Sequence, residues 1–217
     1  MIGRLLHCIF AAGLVLAITG CASVVPDKPV RAIAYDFGPG LIAPAAASAA
    51  TAAPASATIV LADIETSSAF DGSALLYRLG YADANQLRPY ASARWSAAPT
   101  QLIRQRLREQ LGQSRPVLDL SESAALARSG GVMPRVLRIE LEEFSQLFDS
   151  PSQSWGLLRL RASLFDNDAA GEKLIGQRNI VKREPAASAD ASGGVRALAA
   201  ATDAAAAEIS QWLQQTP

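Results

Sequence analysis

Histidine occurs once in the chain, at His7, and cysteine only twice, at Cys8 and Cys21. Beyond Cys21 there is no imidazole and no thiol. A Ser-His-Asp or Cys-His nucleophile therefore cannot be assembled there, and a zinc site of the ordinary His/Cys kind has no ligands. The sequence contains no G-x-x-x-x-G-K-[ST] and no G-x-S-x-G, which removes the phosphate-cradling loop and the hydrolase nucleophile elbow. Excess charge is missing as well. The 20 Lys and Arg balance 20 Asp and Glu, so no basic field exists to gather nucleic acid. What the 217 residues do have is apolar material, at 50% of the chain. That is enough for one domain with a real core.

The N-terminus reads as a targeting segment. Met1 to Arg4 is short and positive, and Leu5 to Ile18 is almost wholly apolar but too short to span a bilayer comfortably. Ile18-Thr19-Gly20-Cys21 follows, then Ala22 and Ser23. This resembles a bacterial lipobox, in which small residues precede an obligatory cysteine. Residues 1–20 are then a lipoprotein signal peptide, cut before Cys21, whose thiol is acylated with palmitate-like chains. Each buried CH₂ of such a chain contributes about 0.8 kcal/mol, so two or three chains anchor stably. With Cys8 removed and Cys21 acylated, no structural disulfide remains. Ala22, where inner-membrane lipoproteins carry Asp, favours the periplasmic face of the outer membrane. Residues 21–30, with Pro26 and Pro29, form a lipidated tether.

Residues 31–217 form the predicted domain. Arg31 to Phe37 reads as a strand with Ile33, Tyr35 and Phe37 on one face. The Ala/Ser/Pro-rich stretch 43–57 is a low-complexity loop. Thr58 to Ile64 is the next strand. Ala74 to Tyr81 is a third, Asp83-Ala84-Asn85 a turn, and Gln86 to Tyr90 its hairpin partner, with Pro89 marking an edge or the strand's end. A helix starts near Pro99, buries Ile103, Leu107 and Leu111, and is capped by Gly112. Pro116 to Leu120 is a short strand and Ser121 to Ser129 a short helix ended by Gly130-Gly131. Arg135 to Phe148 is the longest strand. Leu137, Ile139 and Leu141 share one face, then Phe144 and Phe148 fall out of phase, which predicts a bulge near Glu142 or Glu143. Asp149 to Ser154 turns into a half-buried strand with Leu158, Leu160, Ala162 and Leu164 inward. Asp166 to Gly171 turns again, Leu174 to Arg183 returns, and Pro185 to Gly194 is a loop. The last helix carries Val195, Leu198, Thr202, Ala205, Ile209 and Trp212 as its apolar stripe. The sum is an α+β fold, a largely antiparallel sheet with two main helices packed on one face.

Two chemical readings of the residues are weighed and set behind blander ones. Asp166-Asn167-Asp168 with Gly171 faintly resembles a calcium loop, but Ala170 and Gln177 stand where ligands are needed, so a hairpin turn is preferred. Glu140, Glu142 and Glu143 could pair carboxylates for acid–base work; a solvated strand face is preferred. The chain is therefore expected to have no catalytic residues, no metal and no cofactor, and not to be an enzyme.

A family resemblance rests on Tyr35-Asp36-Phe37-Gly38, Tyr77-Arg78, Tyr90, Ala93-Arg94-Trp95, the Pro99-initiated helix, and Glu142-Glu143-Phe144-Ser145-Gln146 with Phe148-Asp149. In this ordered series, spanning roughly Arg31 to Trp212, the chain resembles the ABC-type transport auxiliary lipoprotein family (PqiC-like). The resemblance implies a non-catalytic lipoprotein on the outer-membrane side of an ABC transport system. Such a system carries an MCE-domain protein, a permease and an ATPase, and moves lipid across the envelope. Part of the cluster Tyr77, Arg78, Tyr90, Arg94 and Trp95 is the candidate interface to the MCE subunit or to another copy of the chain, since aromatic residues and arginine are enriched at interface cores. Against that stands the reading in which Tyr77, Tyr90 and Trp95 anchor the helix on the sheet. A periplasmic lipid-binding carrier and a structural or assembly lipoprotein are the competing functions.

Overall fold

The computed structural model describes residues 31–40, 58–128, 133–168 and 171–216. The expected signal peptide 1–20, the expected tether 21–30 with Cys21, the expected loop 43–57, Gly130-Gly131 and Ala170 lie outside the described residues. In chain order the elements are β1 (Ile33–Tyr35), β2 (Ile59–Leu61), β3 (Glu65–Thr66), β4 (Ala74–Leu79), α1 (Gly80–Asp83), β5 (Ala84–Trp95) and α2 (Pro99–Leu111). They continue with β6 (Val117–Leu118), α3 (Leu120–Arg128), β7 (Arg135–Ser150), β8 (Gln153–Asp168), β9 (Gly171–Pro185) and α4 (Ala191–Gln215).

The strands form one mixed sheet built on β7. β8 pairs antiparallel with β7 from Val136 to Ser150, and β9 pairs antiparallel with β8. The other edge of β7 is shared, end to end and in parallel, by β2, β3 and β4. β5 returns antiparallel beside β4, and β1 lies parallel to the far end of β5. The long pairings are antiparallel and the short ones parallel, so the fold is α+β with a mostly antiparallel sheet, as the patterning predicts.

Alternation sets what is buried. Leu158, Leu160, Ala162 and Leu164 of β8 all turn inward, as do Leu137, Ile139 and Leu141 of β7. Against them pack Ile103, Leu107 and Leu111 of α2 and the full predicted stripe of α4, from Val195 to Trp212. Fully burying one such leucine stabilises the fold by roughly 2 kcal/mol. Pro99 opens α2 and Gly112 closes it, the Gly112 N–H donating back to the Arg108 carbonyl at 2.9 Å.

The phase slip in β7 is real. Leu141 faces Leu160 and Glu143 faces Arg159, so one extra residue is inserted at Glu142. Before it the odd positions face the core. After it Phe144, Gln146 and Phe148 do.

Several boundaries differ from the sequence reading. β5 runs through Pro89 to Trp95 instead of ending at Tyr90. Proline is accommodated because β1 pairs only with Ala93–Trp95, leaving the outer edge of β5 at Pro89 without a described neighbour to receive an N–H. The expected turn at Asp83 is one turn of helix followed directly by β5. Ile33 is 59% exposed, because β1 sits outermost on the sheet. Leu120 opens α3 instead of closing a strand. Ala191–Gly194 belong to α4, since Asp190 caps it by accepting from the Gly193 N–H at 2.7 Å.

Candidate functional site

The five residues expected at an interface lie on β4 and β5 but take different places. Trp95 is 1% exposed. Its ring stands edge-on to Phe37 at 5.6 Å and tilts on Phe144 at 5.4 Å, so it presents no surface. Tyr77 and Tyr90 stack on each other at 4.7 Å between ring centroids, and Phe148 meets Tyr77 at 6.0 Å. Both tyrosines are half-buried. The Tyr90 hydroxyl donates to Gln146 Oε1 at 2.8 Å, and Gln146 Nε2 donates to Ser154 Oγ at 2.7 Å. Burial, with smaller contributions from Tyr77 and Asp190, pushes the Tyr90 phenol well above its ordinary range.

Arg78 is also committed. Its Nε donates to Glu143 Oε1 at 3.0 Å and its Nη2 to Oε2 at 2.9 Å, while Nη1 reaches the carbonyl of Ala84 at 3.1 Å. Ser145 Oγ donates to the same carboxylate at 2.5 Å. The bulge makes this possible. It puts the adjacent Glu142 and Glu143 on the same sheet face, one pairing with Arg159 and Arg161, the other with Arg78. Glu140 pairs with Arg161 at 2.9 Å. The three carboxylates are thus spread along an arginine ladder and are not set up as a proton-transferring pair. Arg94 alone of the five is exposed, and its side chain has no hydrogen bond or ion pair among the described residues.

The sequence reading left out Ser154, placed in a turn but buried at the start of β8, and the role of Gln146 as the polar hub under α4. A buried glutamine a few positions beyond the bulge was signalled only by the change of phase in β7. Asp166, Asn167 and Asp168 lie on β8 opposite Lys173, Glu172 and Gly171, as the sides of a hairpin. A cleft of about 230 Å³ opens between β1 and α2, lined by Phe37, Ser96, Leu102, Gln105, Arg106 and Glu109. Arg106 is held there by the Phe37 carbonyl at 3.0 Å and by Asp203 at 3.0 Å, so its charge is already matched. No helix among the described residues is long and apolar enough to cross a membrane.

The polar side chains described here are thus mostly engaged with one another across the sheet. The chain belongs to the ABC-type transport auxiliary lipoprotein component family, whose model matches residues 40–210. The fold is shared with the crystal structure of a Xanthomonas campestris protein of the DUF330 family. That likeness has a TM-score of 0.63 at 16% identity and covers 74% of this chain and 85% of that one. A second crystal structure, of an uncharacterized protein, matches with a TM-score of 0.58 at 15% identity over 73% of this chain and 93% of that one. No curated protein matches the sequence.

Proposed function

We propose that the protein is the non-catalytic, outer-membrane lipoprotein of an MCE-type ABC transport system that moves lipid across the envelope. The observation that carries this is the family match over residues 40–210. Acyl chains on Cys21 hold the domain on the periplasmic face, and permease and ATPase are separate chains. The domain works by touching an MCE-domain protein, and Arg94 on β5 is the residue of that contact. It is exposed and unpaired among the described residues, whereas Arg78, Tyr77, Tyr90 and Trp95 are engaged within the fold. Arginine contributes strongly to interfaces because its planar fork meets carboxylates and carbonyls with little further ordering.

Affinity purification of the acylated protein from membranes tests this. An MCE-domain protein is expected to come along, and Arg94→Ala is expected to release it with the melting temperature unchanged. Retention of the partner by Arg94→Ala would move the contact elsewhere. Recovery of the protein with no transport component would refute the reading. Labelled palmitate entering the wild type but not Cys21→Ser checks the anchor separately.

A further inference from the structure

One end of the sheet gathers α1, the turn between β7 and β8, and the C-terminal end of β9. β4 ends there with Leu79 beside Phe148, and Trp155 of β8 lies between Leu147 of β7 and Pro185 of β9. α1 buries none of its residues, and Tyr81 is 48% exposed. Beside it, a Cβ on Gly80 would stand 3.1 Å from Leu147 Cδ1, so Leu147 continues the same surface. Trp155 follows, half-buried, with the Arg183 guanidinium 4.5 Å above its ring and its indole N–H donating to Asp149 at 2.8 Å. Arg183 also pairs with Asp149. A tyrosine, a tryptophan with a polar edge, a leucine and an arginine thus share one rim. Tyrosine and tryptophan settle at the level of lipid headgroups because each has an apolar body and a polar tip. Arg183 is already matched by Asp149, so the affinity of this rim for a membrane comes from Tyr81, Leu147 and Trp155.

Strand direction points the start of β1 towards this end. β1 is parallel to β5, with Ile33 beside Ala93. β5 starts at Ala84 next to α1, so the chain enters β1 travelling away from that end. The stretch of β5 from Ala84 to Ser92 is about 30 Å long at the usual strand rise. Ile33 lies twelve residues beyond Cys21, and a chain of that length reaches at most about 40 Å. A membrane lying against the α1 end is therefore within reach of Cys21.

We infer that the Tyr81–Leu147–Trp155–Arg183 end of the sheet rests on the phospholipid surface, so that the anchored domain stands with this rim on the membrane and Arg94 held away from it. The inference rests on the reading of Cys21 as the acylated residue.

The full acylated protein in vesicles of phosphatidylethanolamine and phosphatidylglycerol provides the test. Spin labels are placed singly by Ser152→Cys, at the β7–β8 turn, and by Lys173→Cys, near the start of β9 at the opposite end of β8. Both positions are exposed, and the only other cysteines are Cys8 and Cys21. The label at 152 is expected to lose accessibility to a water-soluble paramagnet on vesicle binding, while the label at 173 keeps it. Brominated lipid is expected to quench tryptophan fluorescence, and Trp155→Phe to abolish that quenching, because Trp95 and Trp212 are buried. Flotation with vesicles is measured first. A protein that does not float overturns both the anchor and this inference. A protein that floats with both labels equally accessible, or with 173 shielded in place of 152, overturns the inference alone.

Discussion

The Arg78 guanidinium and the Glu143 carboxylate meet fork to fork, at 3.0 and 2.9 Å, and join β4 to the bulged middle of β7. Their side chains are 20% and 11% exposed. A pair this far out of water is costly to break from one side, because the remaining charge has nowhere to go. Arg78→Ala and Glu143→Ala are each expected to destabilise the domain by about 3 kcal/mol. The double variant should lose less than the sum of the two. Denaturant titration of the four proteins in a cycle measures this, and additive losses would show that the pair does not act as a unit.

Gly156 lies where α4 crosses β8. A Cβ there would stand 2.5 Å from backbone atoms of Ala197 and Leu198. Backbone cannot rotate away as a side-chain tip can, so Gly156→Ala must push the helix off the sheet. A loss of at least about 2 kcal/mol is expected from overpacking of this kind, read as a lower melting temperature. An unchanged melting temperature would mean that α4 sits further from β8 than described.

Asp190 caps α4 and is expected to couple its stability to acid. The Gly193 backbone N–H, then the Ser188 and Ser192 hydroxyls and Arg196, hold its carboxyl below the ordinary carboxylate value of 3.8. The folded value is the lower one, so the stabilisation is present above 3.8 and is lost as pH falls through the folded value. Asp190→Ala should cost about 1 kcal/mol at neutral pH. It should also flatten the acid limb of the stability profile, as followed by urea unfolding across pH. An acid limb identical to that of the wild type would remove the cap from the account.

How far the sequence carries depends on whether a residue's role is local or cooperative. Period alone reveals the stripe of α4 and the inward row of β8, because a helix or strand must bury its apolar repeat. The bulge in β7 is legible too, since Leu141 and Phe144 cannot share a face in a regular strand. What the bulge accomplishes is not legible, because the partner of Glu143 is 65 residues away on β4. The same holds for the five expected interface residues. Their types are right for a partner surface and equally right for a core, and only the placing of β4 on β7 and of β5 between β4 and β1 separates Arg94 from the rest. Pro89 reads as an edge or a strand's end; the edge alternative holds, since Pro89 sits within β5 where that strand's outer edge has no described partner, and the strand does not end there.

The Tyr90 hydroxyl ties β5 to the polar hub at Gln146, and its titration offers a direct test of that tie. Burial, the leading cause, holds the folded phenol well above the ordinary value of 10.0. Here the folded value is the raised one, so the stabilisation is fully present below about 10 and declines as pH rises from there towards the folded value. Tyr90→Phe removes the titrating group and the hydrogen bond together. It should cost about 1 kcal/mol at neutral pH, with some further loss if Gln146 Oε1 finds no other donor. Above about pH 10, in exchange, the variant should fall in stability less steeply than the wild type. Phenolate absorbance of the folded protein should show one tyrosine that resists ionisation until unfolding, and that signal should vanish in Tyr90→Phe. If all tyrosines of the folded wild type titrate together near the ordinary value, Tyr90 is open to solvent and the Gln146–Ser154 hub is not closed over it.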